Sequence, residues 1–154
     1  MYLLDTNHCS HLIMGHQGIA RRLAGLSDTL VATCTIVRGE LVFWAEKSEQ
    51  QVANLQRVHE FLDDIEILPV DDEAADRYGE LKAAILDQFG PKEKAKRRKT
   101  KTEHLGFAEN DLWIAAIARS RGLTVVSADS DFDRIVVVGH LTVESWLTPG
   151  ETAG

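Results

Sequence analysis

Four carboxylates, Asp5, Glu40, Asp111 and Asp129, occupy positions from which they could meet and act together. Asp5 follows the apolar start MYLL, Glu40 lies in the segment after TLVATC, Asp111 opens the run DLWIAAIA, and Asp129 follows LTVVSA. In an open parallel α/β sheet, ligands bind where strands end and the following helices begin, and all four acids fall at such places. Four like charges in one crevice would repel and raise their own pKa values, so the cluster calls for a cation. An all-carboxylate donor set favours Mg²⁺ or Mn²⁺ over zinc. The chemistry expected of these residues is therefore that of a hard divalent ion. Asp5 also has a plain structural use, because Asp-Thr-Asn is a natural turn into a helix that the first residue caps. Glu73, Asp76 and Glu80 read as a solvated helix face. His8 and His11 lie three apart, but no Cys or second paired His completes a zinc site. A phosphate-cradling G-x-x-x-x-G-K-[ST] loop and a G-x-S-x-G elbow are both missing from the sequence.

The elements that must position the acids are legible from periodicity. A first strand is expected over Met1–Leu4, one or two short helices over about Ser10–Leu26, and a second strand over Thr29–Cys34. Thr35 is placed to cap a helix running through Ser48, in which Glu40 sits among apolar neighbours where a bound cation would relieve its desolvation. A helix over Gln50–Asp64, a strand over Ile65–Val70 and a long helix from Asp71 or Asp72 to about Gln88 follow, ended by Gly90 and Pro91. Asn110 can cap a helix carrying Leu112, Trp113, Ile114, Ala115 and Ala118, with Gly122 at its exit. Leu123–Val126 is short, apolar and β-branched, as a parallel strand covered on both faces should be. Ile135–Val138 and Leu141–Val143 are short apolar runs, and Trp146 is expected to pack the last segment onto the body.

The chain has 154 residues, 44% of them apolar, which fits one domain with a sizeable core. That domain is read over residues 1–147, with 148–154 as a frayed tail. No run of about 18 apolar residues exists, and the first ten residues have neither a basic start nor a signal-like core, so a cytoplasmic protein with no membrane contact is expected. Cys9 and Cys34 read as buried thiols. The net charge is −7, yet Lys92–Lys101 alone carries +6. The stretch 91–103, PKEKAKRRKTKTE, reads as an exposed, mobile basic loop, and Lys96, Arg97 and Arg98 within it are candidates for contact with a phosphate backbone. It holds no aromatic for base stacking, so it would add affinity with little sequence choice.

LLDTN at Leu3–Asn7, the acid-bearing helix RGELVFWAEKS, and ENDLWIAAIARSRGLTVVSADSDF together resemble the PIN-domain ribonucleases, in particular the VapC-type toxins of prokaryotic toxin–antitoxin pairs. The resemblance spans nearly the whole chain. It implies a three-layer α/β/α sandwich with a central parallel sheet, and a Mg²⁺-dependent (Mn²⁺ also serving) endoribonuclease site built from Asp5, Glu40, Asp111 and Asp129. It further implies that Asn7 supports the first acid and that Ser127 stands where the family often has Thr. Asp131 offers a second candidate for the fourth acid, and the basic loop is longer than usual. An RNA substrate, often tRNA or rRNA, a VapB-type antitoxin and a homodimer are implied with it. The expected mechanism is attack of a metal-activated water on a phosphodiester, with a carboxylate taking the proton. Two other readings are a non-catalytic RNA-binding module using the basic loop, and a phosphoacceptor with Asp5 as nucleophile; LLDTN lacks the second acid two residues on that many such phosphatases use.

Overall fold

In a computed structural model, which describes residues 1–151, five short strands form one parallel sheet in the order β3-β2-β1-β4-β5. The strands are β1 (Tyr2–Leu4), β2 (Val31–Cys34), β3 (Glu66–Leu68), β4 (Thr124–Val126) and β5 (Val143–Glu144). Leu3 pairs with Ala32 on one side and Val125 on the other, so β1 is central and β4 its neighbour. Leu3, Leu4, Ala32, Cys34, Val125 and Val126 are fully buried. Their continuous apolar character is what a sheet covered on both faces demands.

Eight helices complete the three-layer α/β/α sandwich: α1 (Thr6–Ile13), α2 (Gln17–Ala24), α3 (Thr35–Glu46), α4 (Gln51–Asp63), α5 (Asp72–Phe89), α6 (Lys94–Lys99), α7 (Glu109–Ser120) and α8 (Asp131–Gly139). α1 packs with α2, α3 and α4; α5, α7 and α8 pack with one another. α7 is the most enclosed, with Leu112 and every residue from Ile114 to Ala118 buried. Its small alanines allow that close approach. Tyr78 of α5 stacks on Trp113 of α7, ring centroids 3.6 Å apart. α5 and α7 run antiparallel, since Asp71 before α5 meets Arg121 after α7 at 2.9 Å, while Lys82 meets Glu109 at the start of α7 at 2.8 Å. No helix among the described residues is long and apolar enough to cross a membrane.

Three expectations change. The basic stretch 91–103 is no featureless loop: it forms α6 and a 3-10 turn, Thr102–Leu105. The Arg97 guanidinium bonds Asp87 at 3.3 Å and donates to the carbonyls of Pro91 and Lys92, so the stretch is tied back to the end of α5. Thr102 is buried and donates to Glu109. Gly90 is required at this corner, because a Cβ there would collide with the Leu86 carbonyl. Second, α7 begins at Glu109 with Ala108 in the cap position, two residues earlier than the Asn110 cap would give. Glu109 anchors that start, accepting from the Tyr78 hydroxyl, Lys82 and Thr102. Third, the cap of α3 falls on Cys34, which makes no side-chain capping bond, while Thr35 is the first helical residue. The run Ile135–Val138 belongs to α8.

Trp146 does pack against the body, edge-on to Tyr2 at 5.2 Å with the Arg22 guanidinium over its ring. Of the C-terminal segment 148–154, Thr148–Glu151 closes a turn in which Glu151 accepts from Thr148 and pairs with His16 at 3.3 Å; residues 152–154 lie outside the described residues.

Cys9 and Cys34 are free thiols with no exposed surface, and burial pushes both upward from the ordinary thiol value, Cys9 far above it. Neither thiol should react with a disulfide reagent at pH 8 in the native chain, and both should react at once in denaturant. A thiol titration with and without guanidinium checks this.

Candidate active site

The acid-bearing edge follows from the strand register. Leu4 pairs with Val126, so the residues that leave the sheet next, Asp5 and Ser127, emerge side by side, and the Asp5 amide donates to the Val126 carbonyl at 3.1 Å. Asp5 is 4% exposed and caps α1: its Oδ1 accepts from the His8 amide at 2.9 Å and from His8 Nδ1 at 3.0 Å. The structural reading of Asp5 as a cap is thus correct, and it leaves Oδ2 over. No fully buried polar side-chain atom among the described residues lacks a partner, and Oδ2 has none, so Oδ2 is the oxygen that reaches the crevice.

After β4 the chain folds back through two successive side-chain turns. Buried Ser127 Oγ accepts from the Asp129 amide at 3.0 Å, and Asp129 Oδ1 accepts from the Asp131 amide at 2.9 Å. Both are the local bonds that Ser and Asp offer in turns. They aim Asp129 and Asp131 at Asp111 in the first turn of α7. One carboxylate oxygen from each of the three lies within 4.8 Å of the other two. Asp111 is pushed up to about 7, first by burial and then by the charges of Asp129, Glu40, Asp131 and Asp5. The other three acids singled out in the sequence therefore all lie close enough to act on Asp111, and Asp131 with them. The tight triad, however, is Asp111, Asp129 and Asp131; neither Asp5 nor Glu40 belongs to this mutually close set.

Glu40 is half-buried on α3, and its Oε1 accepts from Thr6 Oγ1 at 2.8 Å, which ties α3 to the residue beside Asp5. Asn7 lines a cleft of about 610 Å³ together with Asp129, Ser130 and Ser145. A second cleft, about 670 Å³, runs past Thr6, Glu40, Phe43, Trp44 and Asn110. An extended ligand crossing the acids could lie in both.

Lys96 and Arg98 are exposed on α6, Lys96 within 3.3 Å of Glu93, whereas Arg97 is turned inward as described above. Because α5 and α7 are antiparallel, the end of α5 from which α6 springs lies at the Asp111 end of α7, and Phe89 meets Phe107 there with centroids 5.5 Å apart. The basic helix and the acids share one end of the molecule.

Two side chains that organise the site went unread in the sequence. Thr6 holds Glu40, and His8 holds Asp5. A signal for His8 exists: the third residue of a helix faces back onto its N-cap, and His8 is third after Asp5.

The donor set is entirely carboxylate oxygen, the spacing of Asp111, Asp129 and Asp131 suits a single ion between them, and burial beside other carboxylates holds Asp111 well above the usual carboxylate range. These residues fit a hard divalent cation such as Mg²⁺ or Mn²⁺.

The PIN domain family matches residues 2–138 of this chain. The sequence is 30% identical to the tRNA(fMet)-specific endonuclease VapC of Shigella flexneri over 94% of this chain and 97% of the relative, and 31% identical to ribonuclease VapC2 of Haemophilus influenzae over 95% and 98%. Among solved structures it resembles VapBC of Salmonella typhimurium bound to DNA, with a TM-score of 0.77, 28% identity and coverage of 95% of this chain and 98% of the other. It also resembles VapBC2 of Rickettsia felis bound to a promoter fragment, with a TM-score of 0.74, 27% identity and coverage of 94% and 98%. Matched to that family from residue 2 to residue 138 and 30% identical to a VapC endonuclease over 94% of its length, this chain belongs to the PIN-domain family, in its VapC branch.

Proposed function

We propose that this protein is a metal-dependent endoribonuclease of the VapC kind, the toxin of a toxin–antitoxin pair. The observation that carries the reading is the convergence of five carboxylates from four segments of the chain on a partly buried pocket, where burial first and the neighbouring charges second push Asp111 up to about 7. Asp5, Glu40, Asp111 and Asp129 would hold Mg²⁺ or Mn²⁺, with Asp131 completing the triad around Asp111 and Asp129. The ion when bound supplies Lewis acidity to water and to a phosphodiester oxygen. The chain's own work is to fix these oxygens: Ser127 and Asp129 shape the loop, Thr6 fixes Glu40, and a carboxylate not fully engaged accepts the proton of the attacking water. Asn7 would contact substrate or solvent in the cleft it lines.

RNA is the proposed substrate, with tRNA or rRNA as its class; two relatives bear the name tRNA(fMet)-specific endonuclease. A VapB-type antitoxin and a homodimeric assembly are proposed on the likeness to VapBC complexes. The test is incubation of the purified chain with total tRNA in Mg²⁺ or Mn²⁺ and in EDTA. Discrete fragments ending in 5′-phosphate and 3′-hydroxyl, formed only with metal, are expected. Salt-sensitive binding with no turnover in either metal would replace the enzyme by an RNA-binding module.

The basic helix makes a separate prediction. Lys96 and Arg98 would meet the phosphate backbone, while Arg97 serves the fold. The double substitution of Lys96 and Arg98 by Ala should weaken RNA binding and reduce the salt slope by about 1.4, two lost contacts at about 0.7 each for a single strand, with the melting temperature unchanged. Arg97→Ala should instead lower the melting temperature. Filter binding across a salt series, beside thermal melts, separates the two.

A further inference from the structure

His8 lies against Asp5 yet belongs to none of the acids. It is fully buried, with 0% exposure, an unusual place for an imidazole without a defined task. Both ring nitrogens are engaged. Nδ1 is 3.0 Å from Asp5 Oδ1, and Nε2 is 3.2 Å from the backbone nitrogen of Trp146, 138 residues away in sequence. A backbone N–H can only donate, so Nε2 is the acceptor and the ring proton sits on Nδ1, from which it donates to Asp5. The tautomer follows from the partners.

The consequence falls on the carboxylate. Asp5 Oδ1 takes two donors from the same residue, the His8 amide and ring, and is saturated on the side of the helix. A lone amide would leave the carboxylate free to rotate about its last bond, whereas two donors converging on one oxygen fix the plane of the group and aim Oδ2 into the crevice. The ring in turn cannot tilt, because Trp146 grips its far nitrogen, and Trp146 is itself wedged on Tyr2 beneath Arg22.

We propose that His8 is a positioning residue that locks Asp5 as a single-oxygen ligand, with the Trp146 backbone fixing the imidazole that does so. This rests on the reading of Asp5 as part of a metal centre. Groups that orient a ligand from behind in this way are typically worth about 10–100-fold in metal affinity.

Mn²⁺ affinity of the full-length chain, measured by calorimetry or by electron paramagnetic resonance of free Mn²⁺, tests it without any RNA. His8→Leu keeps much of the bulk and removes the donor, and is expected to weaken Mn²⁺ binding at least tenfold. His8→Asn presents an amide N–H near the place of Nδ1 and is expected to stay within about threefold of wild type on the same scale of ligand-orienting effects. Both substitutions leave the Trp146 N–H without its acceptor, so any loss from that cause is common to the two. Equal weakening in both variants, or wild-type affinity in a folded His8→Leu, overturns the proposal while the metal centre stands. A wild-type chain that takes up no Mn²⁺ overturns the metal centre and the proposal together. The unsubstituted protein gives a second test: its ¹⁵N imidazole spectrum should show the His8 proton on Nδ1, and a proton on Nε2 instead overturns the assignment.

Discussion

Asp111→Asn is expected to abolish RNA cleavage and, in the same molecule, to raise the melting temperature of the metal-free chain at pH 8. Loss of one carboxylate of the triad should lower the rate on the order of 10³-fold, since the ion's position and the charge it stabilises both depend on it. The gain in stability comes from the same crowding. Burial and the charges of Asp129, Glu40, Asp131 and Asp5 push Asp111 up to about 7, which means that ionising it opposes folding. A full shift of that size would be worth roughly 4 kcal/mol at 1.36 per unit, and partial solvent access reduces it to about 1–2 kcal/mol. At about 2–4 °C per kcal/mol for a chain of this length, a rise of several degrees should be visible. Asp5→Ala makes the contrasting case. It too should be inactive, but its melting temperature should fall, because α1 loses its cap at about 1 kcal/mol and the His8 ring loses the acceptor of its proton. Cleavage assays and thermal melts in EDTA on the two variants decide the matter. An active Asp111→Asn would remove the metal-site reading, and a less stable one would remove the electrostatic account of it.

Those opposite signs also separate what the sequence could convey from what it could not. The acids were visible because each sits beside a strongly patterned element: MYLL, TLVATC and LTVV are apolar enough to mark the sheet, and strand ends mark its ligand edge. The buried run of α7 was visible for the same reason. Asp131 was readable only as an alternative to Asp129, because whether one or both face Asp111 depends on the two turns made by Ser127 and Asp129, which composition does not dictate. His8 was legible only as a failed zinc ligand. Its partner Trp146 is 138 residues away, and no local pattern carries a contact of that range. The helix α6 was missed because its residues lack an apolar stripe. Its order comes from Arg97 gripping Asp87 and two carbonyls at the end of α5, a tertiary tie that converts basic side chains of good intrinsic helix propensity into a fixed turn of helix.

Divalent metal and pH should act on stability in opposite senses at Asp111, whose raised carboxyl fixes the direction. Its carboxyl is raised from 3.8 in the unfolded chain to about 7 in the fold, so between those values the folded chain holds the proton that the unfolded chain has lost. The contribution of this group to stability must then decline as pH rises, beginning above about 4 and levelling off above about 7. In EDTA the melting temperature of the native chain should therefore drop between pH 5 and pH 8 relative to that of Asp111→Asn, in which this group is absent; the difference between the two chains isolates it from every other titration. Mg²⁺ or Mn²⁺ should reverse the drop. Binding only to the folded chain at 100 times the dissociation constant adds about 2.7 kcal/mol, and because the ion must displace the Asp111 proton at low pH, the stabilisation should be larger at pH 8 than at pH 5. In Asp111→Asn both the magnitude and the pH dependence of the metal effect should shrink together. Melts at the two pH values, in EDTA and in saturating Mn²⁺, give the four numbers for each chain. A metal effect of equal size at both pH values would mean that the ion binds away from Asp111, and with that the shared pocket of carboxylates would lose its role in holding it.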